Sequence, residues 1–547
     1  MDDARSESEL DDARATSMVG AWRSCVAYLL TRVGWPGEET AVRRWPGGAG
    51  LFISAPIDGL LAATELNERA WAVAETGGLR RETEERAALD DVVARLLVHV
   101  QHERNAPLAA LAAQACSRDL CLSCDDEVAA VGSGTGVQCW PLRQIPAVAS
   151  IDWGAVHDVP IALVTGSNGK TTTVRLLAAM LRAAGHTPGY TCTDGVHIGT
   201  EQIALGDWAG PGGARLVLHD RRVTAAVLES ARGGMLRRGV AASRADVAVI
   251  TRIAPDHVGE YGIHDTMSLG EAKLIVTRAL RHGAPVVLNA DDDTLVAWSR
   301  RITTPVVWCS LDANNPVVRA HALAGGAACV LSNGAIVLIN HGAQRELVAA
   351  AHLPIALGGT ARHNIANAIA AAATGQVLGL PAQAMRAALL SFGASMHDNP
   401  GRLHVIVRRG VTVVVDFAHN PDGWRALTAS VTGLATGGRV LVLVGQAGDR
   451  DDEALRDLAE AVLTAHPAIV VLKEMEEYLR GRELGEVTQL LASEFIAQGI
   501  PRASLRFAAT EIEGVQLALA EARPGDLVIL GVHSDYSEVM DLLATPA

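Results

Sequence analysis

Aromatic residues are scarce in this chain: Phe, Trp and Tyr make up 4% of its 547 residues. Positive charge is also short, with 47 Lys+Arg against 61 Asp+Glu and a net charge of −14. A general nucleic-acid binder carries the opposite balance, so that class is excluded. No uninterrupted apolar run reaches the ~20 residues that a membrane-spanning helix needs. The opening MDDARSESELDDARAT is acidic and polar, the reverse of a secretory signal. We expect residues 1–18 to be a frayed, disordered tail. Of the eight cysteines, Cys116, Cys121, Cys124 and Cys139 cluster. Their C-x4-C-x2-C spacing suits zinc or an iron–sulfur cluster. No paired CxxC or HxxxH accompanies it, and small apolar thiols are the simpler reading. These absences together predict a soluble cytoplasmic protein with reduced thiols, no membrane segment and no nucleic-acid partner.

Hydrophobic residues reach 49%, and alanine, glycine and valine dominate. That composition suits α/β layers with tight helix–sheet packing. Residues 1–155 read as an N-terminal α+β region of unassigned role, with helical patterns over Leu60–Thr76 and Arg86–His102 and a short strand at Leu51–Ile53. A proline-bearing linker follows. From 156 to 398 apolar strands alternate with helical patterns, which predicts a doubly wound, mostly parallel sheet. Its strands include Ile161–Val164, Ala225–Leu228, Val247–Ile250 and Pro285–Leu288. A β-rich stretch, 325–347, and a helix from about Ile365 follow. Residues 399–547 read as a second, smaller Rossmann-like α/β domain.

The segment GSNGKTTT, Gly166–Thr173, lies between a buried strand and a helix. That is the context of a phosphate-binding loop. Gly166 and Gly169 let the backbone around Ser167 and Asn168 approach a polyphosphate, and the helix N-terminus adds its dipole. Lys170 neutralises phosphate oxygens; the Thr171 hydroxyl, followed by Thr172, is placed to hold Mg²⁺. Further polar residues sit at the carboxyl ends of strands, where open α/β sheets place their ligands. They are Glu229 in LESARGGMLRRG, Asp256-His257 in APDH, Lys273 in GEAKLIV, Arg362–Ala368 in RHNIANA, Pro400–Arg402 in PGR, and Asp416–Gly423 in DFAHNPDG.

In this order the motifs resemble those of the ATP-dependent Mur ligase superfamily, and most nearly the C-terminal, Mur-like half of the cyanophycin synthetases. TDGVHIG (193–199), EYGIHD (260–265) and LRGRELGEV (479–487) carry the second likeness, which covers about residues 156–540. The resemblance implies ATP and Mg²⁺ and a definite reaction. A carboxylate attacks the γ-phosphate, an acyl phosphate forms, and an amine displaces phosphate to give an amide. It assigns Thr171 and Glu229 to one Mg²⁺ and His257 to a second. It places Lys273 where family members often carry a carbamylated lysine. Asn364 and Asn367 would face adenine or ribose, Arg402 the phosphates across the domain gap, and Asp416 the ribose or the bridging region. Lys170, His257 and Lys273 are thereby the expected catalytic residues. Each residue keeps a plain structural alternative: a turn cap for Glu229, a satisfied loop histidine for His257, a solvated helix lysine for Lys273, helix packing for the two asparagines, and surface ion pairs for Arg402 and Asp416. His419 and Asn420 are expected to shape the Pro421 turn. Arg480 and Arg482 are either anion-steering or solvated.

Two departures stand out. The family has a Thr-Asn pattern where this chain has Thr251-Arg252, and a buried arginine does not replace a neutral amide. Altered local geometry is expected there. Cyanophycin synthetases also carry an ATP-grasp ligase, whereas residues 1–155 hold no second phosphate loop. One kind of bond is therefore expected from this chain. We expect an amide-bond-forming ligase joining an amino acid to an acidic amino acid or peptide, with small-molecule carboxylate and amine substrates. A homo-oligomer or a partner ligase remains open. The alternatives are a degenerate ATP-binding regulatory module and a partner-dependent amidating subunit using ammonia.

Overall fold

A computed structural model describes residues 3–45, 48–75, 84–240, 242–255, 261–435 and 437–544. The chain divides into two compact units: residues 1–158 with 259–264, and 159–258 with 265–547. The second unit holds two lobes, a central one and a C-terminal one, each built on its own sheet.

In the first unit, helices Asp3–Arg32, Leu60–Glu75 and Glu84–Glu103 accompany a hairpin, Thr40–Trp45 paired antiparallel with Gly48–Ile53. Trp22, Cys25, Val26, Leu29, Leu66, Ala70 and Leu96 form the core. The expected tail is corrected here: residues 3–18 are helical, continuous with the packed half of Asp3–Arg32. Ala, Glu, Leu, Arg and Met hold high helix propensity, and elongation from a packed segment avoids the cost of nucleation. Helix Ala106–Ser117 and a three-stranded antiparallel sheet complete the unit. Cys116 lies exposed near the end of that helix, while Cys124 and Cys139 stand on the two outer strands of the sheet. Among the described residues no three His, Cys, Asp or Glu side chains converge as a metal-holding group. Nor is any described helix long and apolar enough to cross a membrane.

The second unit contains an eleven-stranded sheet. Its middle is parallel, running through Ala328–Ser332, Val306–Ser310, Val286–Asn289, Val247–Ile250, Ile161–Thr165, Ala225–Glu229 and Pro188–Cys192. Antiparallel strands finish both edges. The parallel strands are buried on both faces, which is why they read as continuous apolar runs. Helices Lys170–Ala183 and Arg362–Val377 pack on one face through Leu176, Leu177, Met180, Ile365, Ala368 and Ile369. Small side chains on the second helix allow the close approach.

The C-terminal lobe holds a six-stranded sheet, parallel apart from the hairpin strand His404–Arg408. Trp424 and Phe495 fill its core on one face. Lys473, fully buried, forms an ion pair with Glu511 and donates to the Gly531 carbonyl at 2.7 Å. Glu511 also accepts the backbone N–H groups of His533, Ser534 and Asp535. This buried pair pins the loop that follows the last strand.

Candidate active site

The phosphate loop leaves strand Ile161–Thr165, which lies between Val247–Ile250 and Ala225–Glu229. The chain crosses to Pro188–Cys192 and then returns to Ala225–Glu229. Such a point, where the strand order reverses, opens a crevice at the carboxyl ends. Gly166 has φ +149° and Gly169 φ +83°. A Cβ at Gly166 would overlap the Thr251 hydroxyl, and one at Gly169 would overlap Asn367 Oδ1. Glycine is therefore required at both positions.

The loop is braced from below. Ser167 N donates to the Arg252 carbonyl at 2.8 Å, and Ser167 Oγ bonds Ala254 at both O (2.9 Å) and N (3.0 Å). Thr251 Oγ1 donates to Asn168 O at 2.6 Å. Lys273 Nζ donates to Gly166 O at 2.9 Å. Helix Lys170–Ala183 starts at Gly169 with no side-chain cap. Its first-turn N–H groups thus form an anion-receiving end. Lys170 Nζ rests on Ser167 O at 3.1 Å.

Three oxygens meet beside the loop. Thr171 Oγ1 donates to Glu229 Oε2 at 2.9 Å and lies 3.2 Å from Thr193 Oγ1. Glu229 is 1% exposed, and its other oxygen, Oε1, is buried without a partner among the described residues. Burial pushes the Glu229 carboxyl pKa up, against the pull of Lys170, the Thr171 hydroxyl and Arg402. A buried carboxylate oxygen left unpaired beside two hydroxyls is a donor set that suits a hard divalent cation such as Mg²⁺. These residues fit the metal.

The C-terminal lobe supplies the opposite wall. Arg402 stacks over the Phe417 ring at 4.2 Å and reaches Thr193 Oγ1 at 3.5 Å. Asp416 ends strand Val411–Asp416, and its Oδ2 accepts the Leu403 N–H at 2.8 Å. It is half-buried because it faces the cleft, yet protein encloses the carboxylate on its other sides. That loss of water pushes its pKa up to about 6, against the opposing charge of Arg402 and several backbone N–H groups. Asn420 caps helix Pro421–Val431 through Gly423 N at 2.8 Å, as the turn reading anticipates. It also exchanges amide hydrogen bonds with Asn168 at 3.1 and 2.9 Å, which the sequence did not announce. Asn399 Nδ2 donates to Thr172 Oγ1 at 3.1 Å.

A cleft of about 590 Å³ runs between the lobes. Of the expected residues, Ser167, Asn168, Gly169, Lys170, Thr171, Thr172, Glu229, Asn364, Asn367, Arg402 and Asp416 all line it. Asn364 Nδ2 is committed to Ile355 O at 3.0 Å, and Asn367 Nδ2 donates to Asn364 Oδ1 at 3.3 Å. Asn367 thus abuts Gly169 of the loop. His257 and Asp256 lie outside the described residues. Lys273 is 4% exposed, which corrects the alternative of a solvated helix lysine. Arg252 is corrected in the opposite sense. It is not buried: its side chain is 47% exposed and forms an ion pair with Asp422 at 2.8 Å. Arg480 pairs with Asp449, while Arg482 bonds Asp452, Glu486 and the carbonyls of Gly448 and Arg450. Neither arginine is solvated and uncommitted.

Sequence reading quoted Thr193 and Asp422 within motifs but gave neither a role in the site. Thr193 sits directly after strand Pro188–Cys192, so its place at a strand's carboxyl end was an available signal. It also missed the cleft wall formed by Asn289, Asp291, Leu311, Arg425 and Ala429, which lies away from the phosphate loop's motif.

Comparison with known proteins accounts for this arrangement. Residues 164–375 match the Mur ligase middle domain and residues 401–531 the Mur ligase glutamate ligase domain. The cyanophycin synthetase of Geminocystis herdmanii is 33% identical over 372 residues, which is 68% of this chain and 42% of that protein. The chain thus spans about two fifths of the length of that relative. UDP-N-acetylmuramoyl-L-alanyl-D-glutamate–2,6-diaminopimelate ligase of Geobacter metallireducens is 27% identical over 416 residues, 71% of this chain and 77% of that one. Among solved structures, E. coli FolC in complex with ADP superposes with a TM-score of 0.52 at 19% identity, covering 70% of this chain and 89% of that chain; the likeness is one of fold. The chain belongs to the Mur ligase superfamily, a family of ATP-dependent amide-bond-forming ligases, and within it resembles the cyanophycin synthetases.

Proposed function

We propose that this chain is an ATP- and Mg²⁺-dependent carboxylate–amine ligase that joins an amino acid to an acidic amino acid or to a peptide ending in one. The observation that carries the reading is the convergence of Lys170, Thr171, Glu229 and Arg402 on one cleft, with Glu229 Oε1 buried and unpaired. Phosphoryl transfer asks a protein for alignment and charge neutralisation more than for covalent chemistry. The loop N–H groups and Lys170 hold the polyphosphate; Arg402 meets it from the other lobe. Thr171 and Glu229 would hold Mg²⁺, which would supply charge neutralisation to the polyphosphate. Lys273 keeps the Gly166 carbonyl in place; carbamylation of its amine, as the family resemblance implies, would exchange this ammonium for an anion. His257 is assigned to a second Mg²⁺ by resemblance.

In the reaction a substrate carboxylate oxygen attacks the γ-phosphorus, and the bond to the ADP oxygen breaks. The amine then attacks the acyl carbon and loses a proton, and inorganic phosphate departs with the former carboxylate oxygen. Closure of the two lobes excludes water, which would otherwise hydrolyse the acyl phosphate. Arg252 turns outward to Asp422, while Thr251 and Ser167 brace the loop, which supports the ligase reading.

Phosphate release from ATP, screened against a matrix of carboxylic acids and amines with products weighed by mass spectrometry, tests the reading. Release that requires one acid and one amine, with a product one water lighter than their sum, is expected. Binding of ATP without acid-stimulated release across the matrix would move the assignment to a regulatory module.

Asp416 gives the site a pH dependence. Its carboxylate is assigned to accept ribose hydroxyl groups, so it must be ionised. Its folded pKa of about 6 lies above that of an unfolded aspartate. Folding therefore favours its protonated form: this contribution to stability is complete below the unfolded pKa and is lost as pH rises through 6. Function runs the other way. ATP affinity is expected to rise between pH 5 and pH 7, and Asp416→Asn is expected to flatten that rise. An unchanged profile in the variant would remove Asp416 from nucleotide binding.

A further inference from the structure

Arg252 and Asp422 approach one another from the two lobes. Arg252 follows strand Val247–Ile250 of the central sheet, and Asp422 lies in the first turn of helix Pro421–Val431. Arg252 Nη2 is 2.8 Å from Asp422 Oδ1. The other carboxylate oxygen, Oδ2, accepts Asn168 Nδ2 at 2.9 Å. One carboxylate is thus shared between the phosphate loop and the residue that departs from the family's Thr-Asn pattern. Asn168 is held on the C-terminal side by Asp422 and Asn420, and on the central side by Thr251 through its carbonyl. Only with the lobes together do both oxygens of Asp422 find these donors. An asparagine at 252 is uncharged and offers no such ion pair.

We propose that Arg252 and Asp422 form a clasp that holds the two lobes closed over the nucleotide cleft and sets Asn168 in its phosphate-receiving position. Both are positioning residues. An isolated pair this exposed contributes little to overall stability. Its effect falls on the arrangement of the loop against the opposite lobe. The proposal rests on the ATP-binding reading of the cleft and adds a charge-based specificity to it.

Coulomb's law provides a sharp test, because ATP is a polyanion. If Asp422 were merely a nearby negative charge, its neutralisation would tighten ATP binding. A clasp predicts the opposite. ATP binding to the full chain with Mg²⁺ is measured by calorimetry for wild type, Arg252→Asn, Asp422→Asn and the double variant, at low and high salt. Each single variant is expected to bind ATP about three- to fivefold more weakly, the scale of an exposed ion pair. The double variant is expected to be no weaker than Arg252→Asn, because the partner is already lost. Wild-type binding is expected to fall more with salt than that of the double variant. Asp422→Asn binding ATP as well as or better than wild type would overturn the clasp, as would fully additive single effects. Failure of the unaltered chain to bind ATP would overturn the ligase reading, and the clasp with it.

Discussion

Lys170→Ala is expected to abolish ADP formation, by about 10³-fold or more, with the fold intact. The Lys170 ammonium stands at the start of the phosphate-loop helix and donates to the Ser167 carbonyl at 3.1 Å. Lys170 is not among the buried residues of the sheet's core, so its removal is expected to leave that packing unchanged. The γ-phosphate gathers charge as its bond to ADP breaks, and a fixed cation there acts where it needs no reorganisation. Phosphate release with circular dichroism and thermal melting on the same sample checks both halves. Unchanged turnover would sink the ligase assignment. Lost turnover with a collapsed melting transition would show Lys170 to be structural instead.

Glu229→Gln is expected to lower turnover about 10²- to 10³-fold while leaving the melting temperature unchanged or raised. The two effects separate because the carboxylate is held at a cost. Glu229 is almost fully buried, burial pushes its pKa up, and Oε1 has no partner among the described residues. A carboxamide of the same shape removes that desolvation penalty and can still accept from Thr171. Stability is therefore preserved, while the site loses the charge that holds a divalent cation. Mg²⁺ titration of activity, beside thermal melting, reads both. If Gln at 229 destabilises the protein and leaves the Mg²⁺ dependence of turnover intact, Glu229 is a structural cap.

Much of this site was legible because its motifs are local. The phosphate loop lies within one strand–turn–helix, and its glycines are demanded by contacts the backbone cannot avoid. Helix Arg362–Val377 announces its buried face through a run of small residues. The strand ends carrying Glu229, Arg252 and Asp416 follow apolar runs long enough to read as strands. Less legible were residues whose partners lie far along the chain. Lys273 stands out in sequence only through the family likeness, with a solvated helix lysine as its alternative; only the fold brings its ammonium to the Gly166 carbonyl. Arg252 reads as a misplaced buried charge because sequence does not say which way it turns. The terminal helix was missed for a related reason: a polar, acidic stretch looks like a tail until the packed residues beyond it supply a nucleus.

The sequence alone determined the parallel α/β construction, the phosphate loop, the order of the ligase motifs and the family to which they point. Each of these is written in periodicity or in contiguous residues, where covalent neighbours and short-range sterics decide the outcome. Tertiary structure decided what those residues face: the meeting of Thr171, Thr193 and Glu229, the bracing of the loop by Lys273 and Thr251, and the pairing of Arg252 with Asp422. These contacts join residues up to 170 positions apart. Hydrogen bonds and ion pairs at such separations depend on directions in space that a one-dimensional pattern does not carry.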